Sequence, residues 1–147
     1  QMAGVDIDKE SYRLSYCKGQ YFRVKNKNKY SLIKHLIYPI PKDHISLGIH
    51  VTLDLAGNIR LGPDSFFIEK ENLNYEVDAL QKKLFVKEVK SFLSFLEEDD
   101  LIPDTAGVRP KIKNGEFSDF VIKEESRLGL DGLINLIGIE SPGLTSC

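Results

Sequence analysis

Three short segments of the sequence carry residue types that could do chemistry. In "AGVRP", Arg109 lies in a strand-like segment between Gly107 and Pro110. A guanidinium is costly to bury unless its planar fork meets a carboxylate or a phosphate, so Arg109 is a candidate anion-binding group. An ordinary surface or structural ion pair is the alternative, and composition alone favours it.

The second segment, "GIHVT", contains a histidine. His50 alternates out of phase with Ile49 and Val51, so it faces away from the apolar side of its strand. Histidine changes protonation state near neutral pH and can act as an acid, a base or a hydrogen-bond donor. A lone histidine on a strand is more often simply exposed, and that alternative stays open.

The third segment is "GIESPGLTS", residues 138–146. An apolar strand, a small-residue turn and the start of a helix would present free backbone N–H groups and the positive end of a helix dipole. Such a site suits a phosphate, a carboxylate or an electron-rich heterocycle that accumulates negative charge. A plain connection from strand to helix is the alternative.

Strands must position these residues. Alternating patterns predict a strand within 11–24, a hairpin over 46–65 with "AGN" as its turn, and strands in "DTAGVRPKI", "DFVIKE" and "GLINLIGIE". Gly19 inside the first strand predicts a bulge or a close approach by another part of the backbone. The prolines of "LIYPIP", at 36–41, confine that run to a sheet edge, and "KNGEFS" supplies a turn.

One segment has the spacing of a helix. Residues 77–98 place six apolar side chains on one stripe: Leu80, Leu84, Val89, Phe92, Leu93 and Leu96. The order of elements predicts the α+β class, as a single unit in which one long helix packs on a mixed, mainly antiparallel β-sheet.

Composition excludes several function classes. The chain has 147 residues, and a net charge of -2 gives no reason to expect nucleic acid as a partner. Cys17 and Cys147 are too far apart in sequence for a disulfide framework or a metal motif, and no apolar stretch is long enough to cross a membrane. Without a signal peptide, we expect a cytoplasmic, reducing location, or a peripheral position at a membrane.

The motifs, taken in their order, resemble a known family. "LIYPIP…LGIHVTLDLAGNIRLGP", "PDTAGVRPKI" and "LINLIGIESPGLTS" are similar to the C-terminal half of FAD-dependent oxidoreductases of the D-amino-acid-oxidase superfamily. The L-2-hydroxyglutarate dehydrogenase/oxidase branch is the most similar. The resemblance implies a substrate domain whose full-length enzyme oxidises a small 2-hydroxy acid by hydride transfer to flavin.

The resemblance also implies residue roles. Arg109 matches the arginine that holds the substrate carboxylate, His50 matches a candidate base for the 2-hydroxyl proton, and Tyr21 matches a pocket-lining residue. Gln20 stands where a glutamate is usual, which weakens the match at Tyr21. The segment that would meet the isoalloxazine ring of FAD comprises Ser141, Pro142, Gly143, Leu144 and Thr145.

The dinucleotide fingerprint GxGxxG is absent from the sequence. We therefore expect residues 1–139 to form a substrate-binding domain and 140–147 to begin the return to a separate FAD-binding domain. The fragment alone is predicted to be inactive and not to retain FAD, and apolar "LINLIGI" predicts self-association into dimers.

An amino-acid or glycerol-phosphate oxidoreductase, and a non-catalytic binding or scaffold domain, remain alternatives. Lys111 and Arg60 are candidates for a second cation that would bind a distal acid group.

Overall fold

The computed structural model describes residues 3–40, 48–112 and 119–140. Within these ranges the elements are seven strands and one α-helix: β1 Leu14–Val24, β2 His50–Leu53, β3 Ile59–Gly62, β4 Phe66–Ile68, α1 Lys82–Val89, β5 Leu101–Ile112, β6 Val121–Glu124 and β7 Ile134–Ile137. Short 3-10 helices connect several of them. These elements confirm the α+β class with mainly antiparallel sheets and one helix.

The larger sheet has five strands in the order β2-β3-β1-β4, and β5 also pairs with β1. The predicted hairpin is present: β2 and β3 pair antiparallel, with Val51 opposite Leu61. Asp54 closes the turn, because its side chain accepts hydrogen bonds from the backbone N–H groups of Ala56 and Asn58. Ile37 of the "LIYPIP" run forms an isolated bridge to Val51, which fits an edge position.

The chain divides into two compact units. The first unit comprises Gln1–Cys17, Phe67–Leu73 and Arg109–Cys147, and the second comprises Lys18–Phe66 and Asn74–Val108. Three of the boundaries fall inside strands β1, β4 and β5, and the fourth lies between Leu73 and Asn74. Each unit has its own set of buried side chains.

The second unit has an apolar core. Its buried residues come from β1, the hairpin, α1 and the segment after α1, and Phe22 meets Phe85 edge to face with ring centroids 4.6 Å apart. The close approach predicted at Gly19 is also present. A Cβ there would lie 2.9 Å from the Pro63 side chain and 3.1 Å from the Asp64 carbonyl oxygen, so a larger residue would push this segment away.

The predicted helix over 77–98 was too long. The α-helix spans only Lys82–Val89, after a 3-10 turn at Ala79–Gln81, and turns follow it. Lysines instead of acids occupy its first turn, which opposes the helix dipole. Serines and phenylalanines follow Val89 in "SFLSF", and both residue types are weaker helix formers than leucine or lysine.

The predicted apolar stripe was wrong at its N-terminal end. Leu80 and Leu84 are exposed, whereas Phe85 and Val86 are buried in their place. Leu93 and Leu96 are buried as expected, although they lie in turns beyond the helix. Burial of these two leucines therefore depends on how the chain turns after Val89 and not on a continuing helical face.

The first unit contains a two-stranded antiparallel sheet of β6 and β7, with Ile122 opposite Leu136. Ile134 and Leu136 are exposed, as predicted for "LINLIGI", and Ile122 on the neighbouring strand is exposed too, while dimerisation stays a prediction. Directly after β6, the buried Glu125 carboxylate accepts hydrogen bonds from the Tyr12 hydroxyl at 2.5 Å and from Asn135 at 2.9 Å. These bonds, led by that of Tyr12, lower the pKa of Glu125.

Across residues 3–40, 48–112 and 119–140, none of the helices has the length and hydropathy that spanning a membrane requires. The same ranges contain no group of three or more histidine, cysteine, aspartate or glutamate residues that could hold a metal ion. The predicted turn in "KNGEFS" lies mostly outside the described residues.

The placement of the leucines around α1 can be tested by one chemical change at two positions. Leu93 is 2% exposed and Leu80 is 86% exposed. Leu93→Ala removes core contacts and leaves a cavity, so we expect it to lower the free energy of unfolding by about 2–5 kcal/mol. Leu80→Ala should change it by no more than about 0.5 kcal/mol. Urea unfolding followed by circular dichroism measures both, and equal losses would contradict the observed burial.

Candidate functional site

Arg109 and Lys111 lie two residues apart on β5. Because side chains alternate between the faces of a strand, both cations project from the same face. Their side chains are 37% and 30% exposed, so each is partly removed from water. Two like charges so placed repel each other unless an anion lies between them.

Glu140 supplies that anion. Its side chain is only 10% exposed, and its Oε1 lies 2.8 Å from the Lys111 ammonium. Its Oε2 lies 3.7 Å from Nη1 of Arg109, which is beyond hydrogen-bonding distance, and accepts no hydrogen bond from the described residues. The Glu140 carboxylate is therefore ion-paired at short distance with Lys111, whereas Arg109 lies farther from it.

A glycine turn delivers Glu140 to β5. Gly138 follows β7 with a φ of 75°, a left-handed conformation that favours glycine, and its carbonyl accepts a hydrogen bond from the Glu140 N–H at 2.9 Å. A Cβ on Gly138 would lie 2.7 Å from the Ile112 side chain. Both the backbone conformation and the lack of space exclude a larger residue at position 138.

Within the described part of the chain, the Arg109 guanidinium retains donors without a partner. Its Nη2 also lies 3.8 Å from the sulfur of Cys17, which is a weak interaction. Together Arg109, Lys111 and Glu140 carry one net positive charge. A planar guanidinium with donors to spare can take a carboxylate in a two-point hydrogen-bonded pair.

His50 is buried at the start of β2, in the second unit, so the alternative of an exposed histidine was wrong. Its ring stacks on Tyr38 at 4.4 Å between centroids, and Nδ1 lies 3.2 Å from the Gly48 carbonyl oxygen. Since a carbonyl can only accept, Nδ1 carries the hydrogen and the neutral ring has its lone pair on Nε2. Burial lowers the pKa of His50, and the Gly48 carbonyl partly opposes this shift.

Tyr21 and Arg60 form a pair of their own in the second unit. The Arg60 guanidinium lies 4.9 Å from the Tyr21 ring centroid, close enough for a cation–π interaction. Arg60 Nε is also 2.6 Å from Asp104, and Nη2 donates to the Thr105 hydroxyl at 2.6 Å. Lys111 and Arg60 were the two candidates for a second cation that binds a distal acid group. Lys111 shares a strand face with Arg109, whereas Arg60 already contacts Asp104 and Thr105.

Gln20 has a structural role, because its buried side chain links two other segments by hydrogen bonds. It is buried, its amide donates to Asp64 at 3.0 Å, and its carbonyl oxygen accepts from the Asp78 N–H at 2.7 Å. Asp64 also accepts from the Gln20 backbone N–H at 2.6 Å. Burial raises the pKa of Asp64, and the hydrogen bonds from Gln20 oppose that shift. A glutamate at position 20 would place a second carboxylate beside Asp64, so the glutamine fits its surroundings.

The predicted flavin-facing residues Ser141, Pro142, Gly143, Leu144 and Thr145 lie outside the described residues. Glu140, which precedes them, is described. The net positive charge around Glu140 fits a neighbour that is anionic, as both a carboxylate substrate and a reduced flavin are. The chemistry of these side chains is therefore compatible with FAD.

Residues 1–147 match the family of FAD dependent oxidoreductases (DAO). The chain belongs to this family. Its cofactor is accordingly FAD, and the fold and family expected from the sequence motifs are confirmed.

Curated relatives differ in their substrates. L-2-hydroxyglutarate dehydrogenase, mitochondrial, from Arabidopsis thaliana is 38% identical over 141 residues, which cover 89% of this chain and 29% of the relative. Glycerol 3-phosphate dehydrogenase from Caloramator mitchellensis is 34% identical over 131 residues, covering 88% of this chain and 25% of that protein. The chain thus spans less than a third of either relative.

A solved structure shares the fold. Dithionite-reduced L-alpha-glycerophosphate oxidase from Mycoplasma pneumoniae, with FAD bound, superposes with a TM-score of 0.66 at 23% sequence identity. The match covers 90% of this chain and 33% of that one. At this identity the likeness shows the fold alone.

The structure brings together some of the residues that the sequence singled out. Arg109 and Lys111 share Glu140 in the first unit, and Tyr21 pairs with Arg60 in the second. His50 keeps its own set of contacts in the second unit. Sequence reasoning missed Glu140 as an ion-pair partner, and it missed Tyr38. The glutamate within "GIESPG" was the available signal for Glu140, because a carboxylate beside a buried strand needs a cation.

The low pKa of His50 leads to a test by titration. Tyr38 covers one face of the imidazole, so Tyr38→Ala should hydrate the ring and raise its pKa towards the ordinary value of about 6.5. The wild-type ring should stay neutral to a lower pH than the variant. Tyr38→Phe retains the stacked ring and should keep the low pKa.

Histidine side-chain NMR titration measures these values, with a His50→Gln sample to assign the signal. A wild-type midpoint at or above the ordinary histidine value would contradict the buried, neutral state of His50.

Proposed function

We propose that the complete protein oxidises a small 2-hydroxy acid of the L-2-hydroxyglutarate type. FAD, when bound, supplies the acceptor for the hydride that leaves the substrate carbon. In this proposal Arg109 binds the substrate carboxylate, His50 accepts the 2-hydroxyl proton, and Tyr21 lines the pocket.

The observation that carries the proposal is the state of Arg109. Its side chain is 37% exposed, its Nη1 lies 3.7 Å from Oε2 of Glu140, and the closer contact of Glu140 goes to Lys111. Donors that are partly desolvated, and that have no hydrogen-bonded oxygen among the described residues, gain most from a carboxylate that meets them in the same plane. Holding that carboxylate orients the rest of a small 2-hydroxy acid, which is the main catalytic contribution of a positioning cation.

His50 has the protonation state that a base requires. Its pKa is lowered by burial, and the Gly48 carbonyl holds the hydrogen on Nδ1. Nε2 therefore presents a lone pair at neutral pH and could take up a hydroxyl proton as the hydride departs. Tyr38 restrains the ring in this orientation through stacking.

A 2-hydroxy acid is preferred because the relative from Arabidopsis thaliana, at 38% identity, is named for L-2-hydroxyglutarate. Oxidation of glycerol 3-phosphate is the second candidate, since the relative from Caloramator mitchellensis, at 34% identity, is named for that substrate. A guanidinium pairs with a phosphate as well as with a carboxylate, so Arg109 fits either. Residues 1–139 would form the substrate domain, with an FAD-binding domain supplied by other parts of the protein.

The substrate can be tested on the product of the complete reading frame, purified with FAD. Under anaerobic conditions, L-2-hydroxyglutarate should bleach the visible absorbance of the oxidised flavin, whereas the D-enantiomer should not. Bleaching by glycerol 3-phosphate alone would favour the second candidate. Absence of bleaching by either compound in a protein that holds FAD would overturn the proposal.

The role of Arg109 can be tested by an exchange that keeps the charge. Arg109→Lys retains a cation but loses the planar fork, so we expect KM for the 2-hydroxy acid to rise by about 10–100-fold. Arg127→Lys is the matched control, because Arg127 pairs with Glu10 elsewhere in the same unit, and its KM should stay within about threefold of wild type. Steady-state kinetics on both variants gives the comparison, and an unchanged KM in Arg109→Lys would remove Arg109 from the site.

A further inference from the structure

We propose that Lys111 and Glu140 form a compensating ion pair that keeps Arg109 available for the substrate. Both would be positioning residues, acting through Arg109 and touching no reacting atom. The inference rests on the proposed role of Arg109 as the carboxylate-binding group. It assigns Lys111 a different task from that of a second substrate-binding cation.

Two distances carry the inference. Glu140 Oε1 is 2.8 Å from the Lys111 ammonium, and Oε2 is 3.7 Å from the Arg109 guanidinium. Lys111 therefore holds the carboxylate at a separation from Arg109 that is too long for a hydrogen bond. Without Lys111, the only cation near Glu140 among the described residues would be Arg109, and a carboxylate with a guanidinium at that distance closes into a two-point pair.

Glu140 has few alternatives to an ion pair with Lys111 or Arg109. Its side chain is 10% exposed, and a carboxylate that is largely out of water requires a cation. Its backbone N–H is hydrogen-bonded to the Gly138 carbonyl oxygen, in a left-handed turn where a Cβ would clash with Ile112. Removing Lys111 should thus turn Glu140 into an internal competitor of the substrate carboxylate.

The same geometry predicts the effect of removing the negative charge. In Glu140→Gln, Lys111 and Arg109 would both be uncompensated on one face of β5. A substrate carboxylate would then be shared between two cations, which strengthens its binding but moves it from the position that Arg109 alone defines. KM should not rise, and kcat should fall by roughly fivefold, since catalysis depends on placement more than on affinity.

The decisive experiment is a double-mutant cycle on the complete, FAD-loaded protein. Lys111→Met should raise KM by about tenfold with little change in kcat, because Glu140 captures Arg109. In Lys111→Met/Glu140→Gln the competitor has lost its charge, so KM should return to within about threefold of wild type. Lys123→Met is the matched control, since Lys123 is a half-buried lysine of the same unit that pairs with Glu10.

Two outcomes would overturn the inference. If the double variant keeps the raised KM of Lys111→Met, then Lys111 contacts the substrate directly. If Lys111→Met leaves KM unchanged, the pair has no influence on Arg109. Thermal unfolding and the ratio of FAD to protein establish that each variant is folded. KM and kcat are then compared with the wild-type values only for variants that are folded.

A binding measurement separates this inference from the proposed function. Glutarate, a dicarboxylate that cannot be oxidised at C2, is titrated while the flavin absorbance spectrum is recorded. The dissociation constant of glutarate should follow the KM pattern: weaker in Lys111→Met and restored in the double variant. This pattern would support the pair even if L-2-hydroxyglutarate failed to bleach the flavin. Wild-type protein that binds no carboxylate would overturn both proposals.

Discussion

The buried carboxylate of Glu140 must meet positive charge, and the arrangement of the candidate site depends on that requirement. Lys111 meets it at 2.8 Å, and Arg109 remains at 3.7 Å. The difference of less than 1 Å separates a guanidinium that is neutralised inside the protein from one that can still bind an external anion. Gly138 supports the contact, because the turn before Glu140 has a left-handed conformation and lacks space for a Cβ beside Ile112.

In the second unit, the site residues depend on hydrophobic packing and on a buried polar junction. The core around Phe22 and Phe85 holds the hairpin strand on which His50 lies. Gln20 connects β1 to Asp64 and Asp78 through hydrogen bonds in a place with little access to water, where an unpaired polar group would be costly. A histidine held by a packed strand, a stacked tyrosine and a backbone carbonyl has a defined tautomer, which a mobile surface histidine lacks.

Much of the fold could be predicted from local patterns. Alternating side chains located β1, the hairpin and the strands β5 to β7, and Gly19 signalled the close approach at Pro63. The helix was the clear failure, since a stripe at helical spacing over 77–98 contains an α-helix only at Lys82–Val89. Leu93 and Leu96 are buried beyond the end of the helix, and spacing alone does not distinguish burial in such a segment from burial on a helical face.

The candidate site, like the fold, could be predicted from the sequence only in part. The sequence alone determined the family and the strands that carry Arg109 and His50, because these follow from motifs and from residue order along the chain. The turn at Gly138 was not predicted, since the sequence pattern extended the last strand through Glu140. Only the tertiary structure decided which charges meet: Lys111 with Glu140, Arg60 with Asp104, and His50 against Tyr38. The physical reason is the separation along the chain of the residues that interact. Side-chain alternation is a property of neighbouring residues, whereas an ion pair or a ring stack forms only between groups that folding brings within a few ångströms, often from distant parts of the chain.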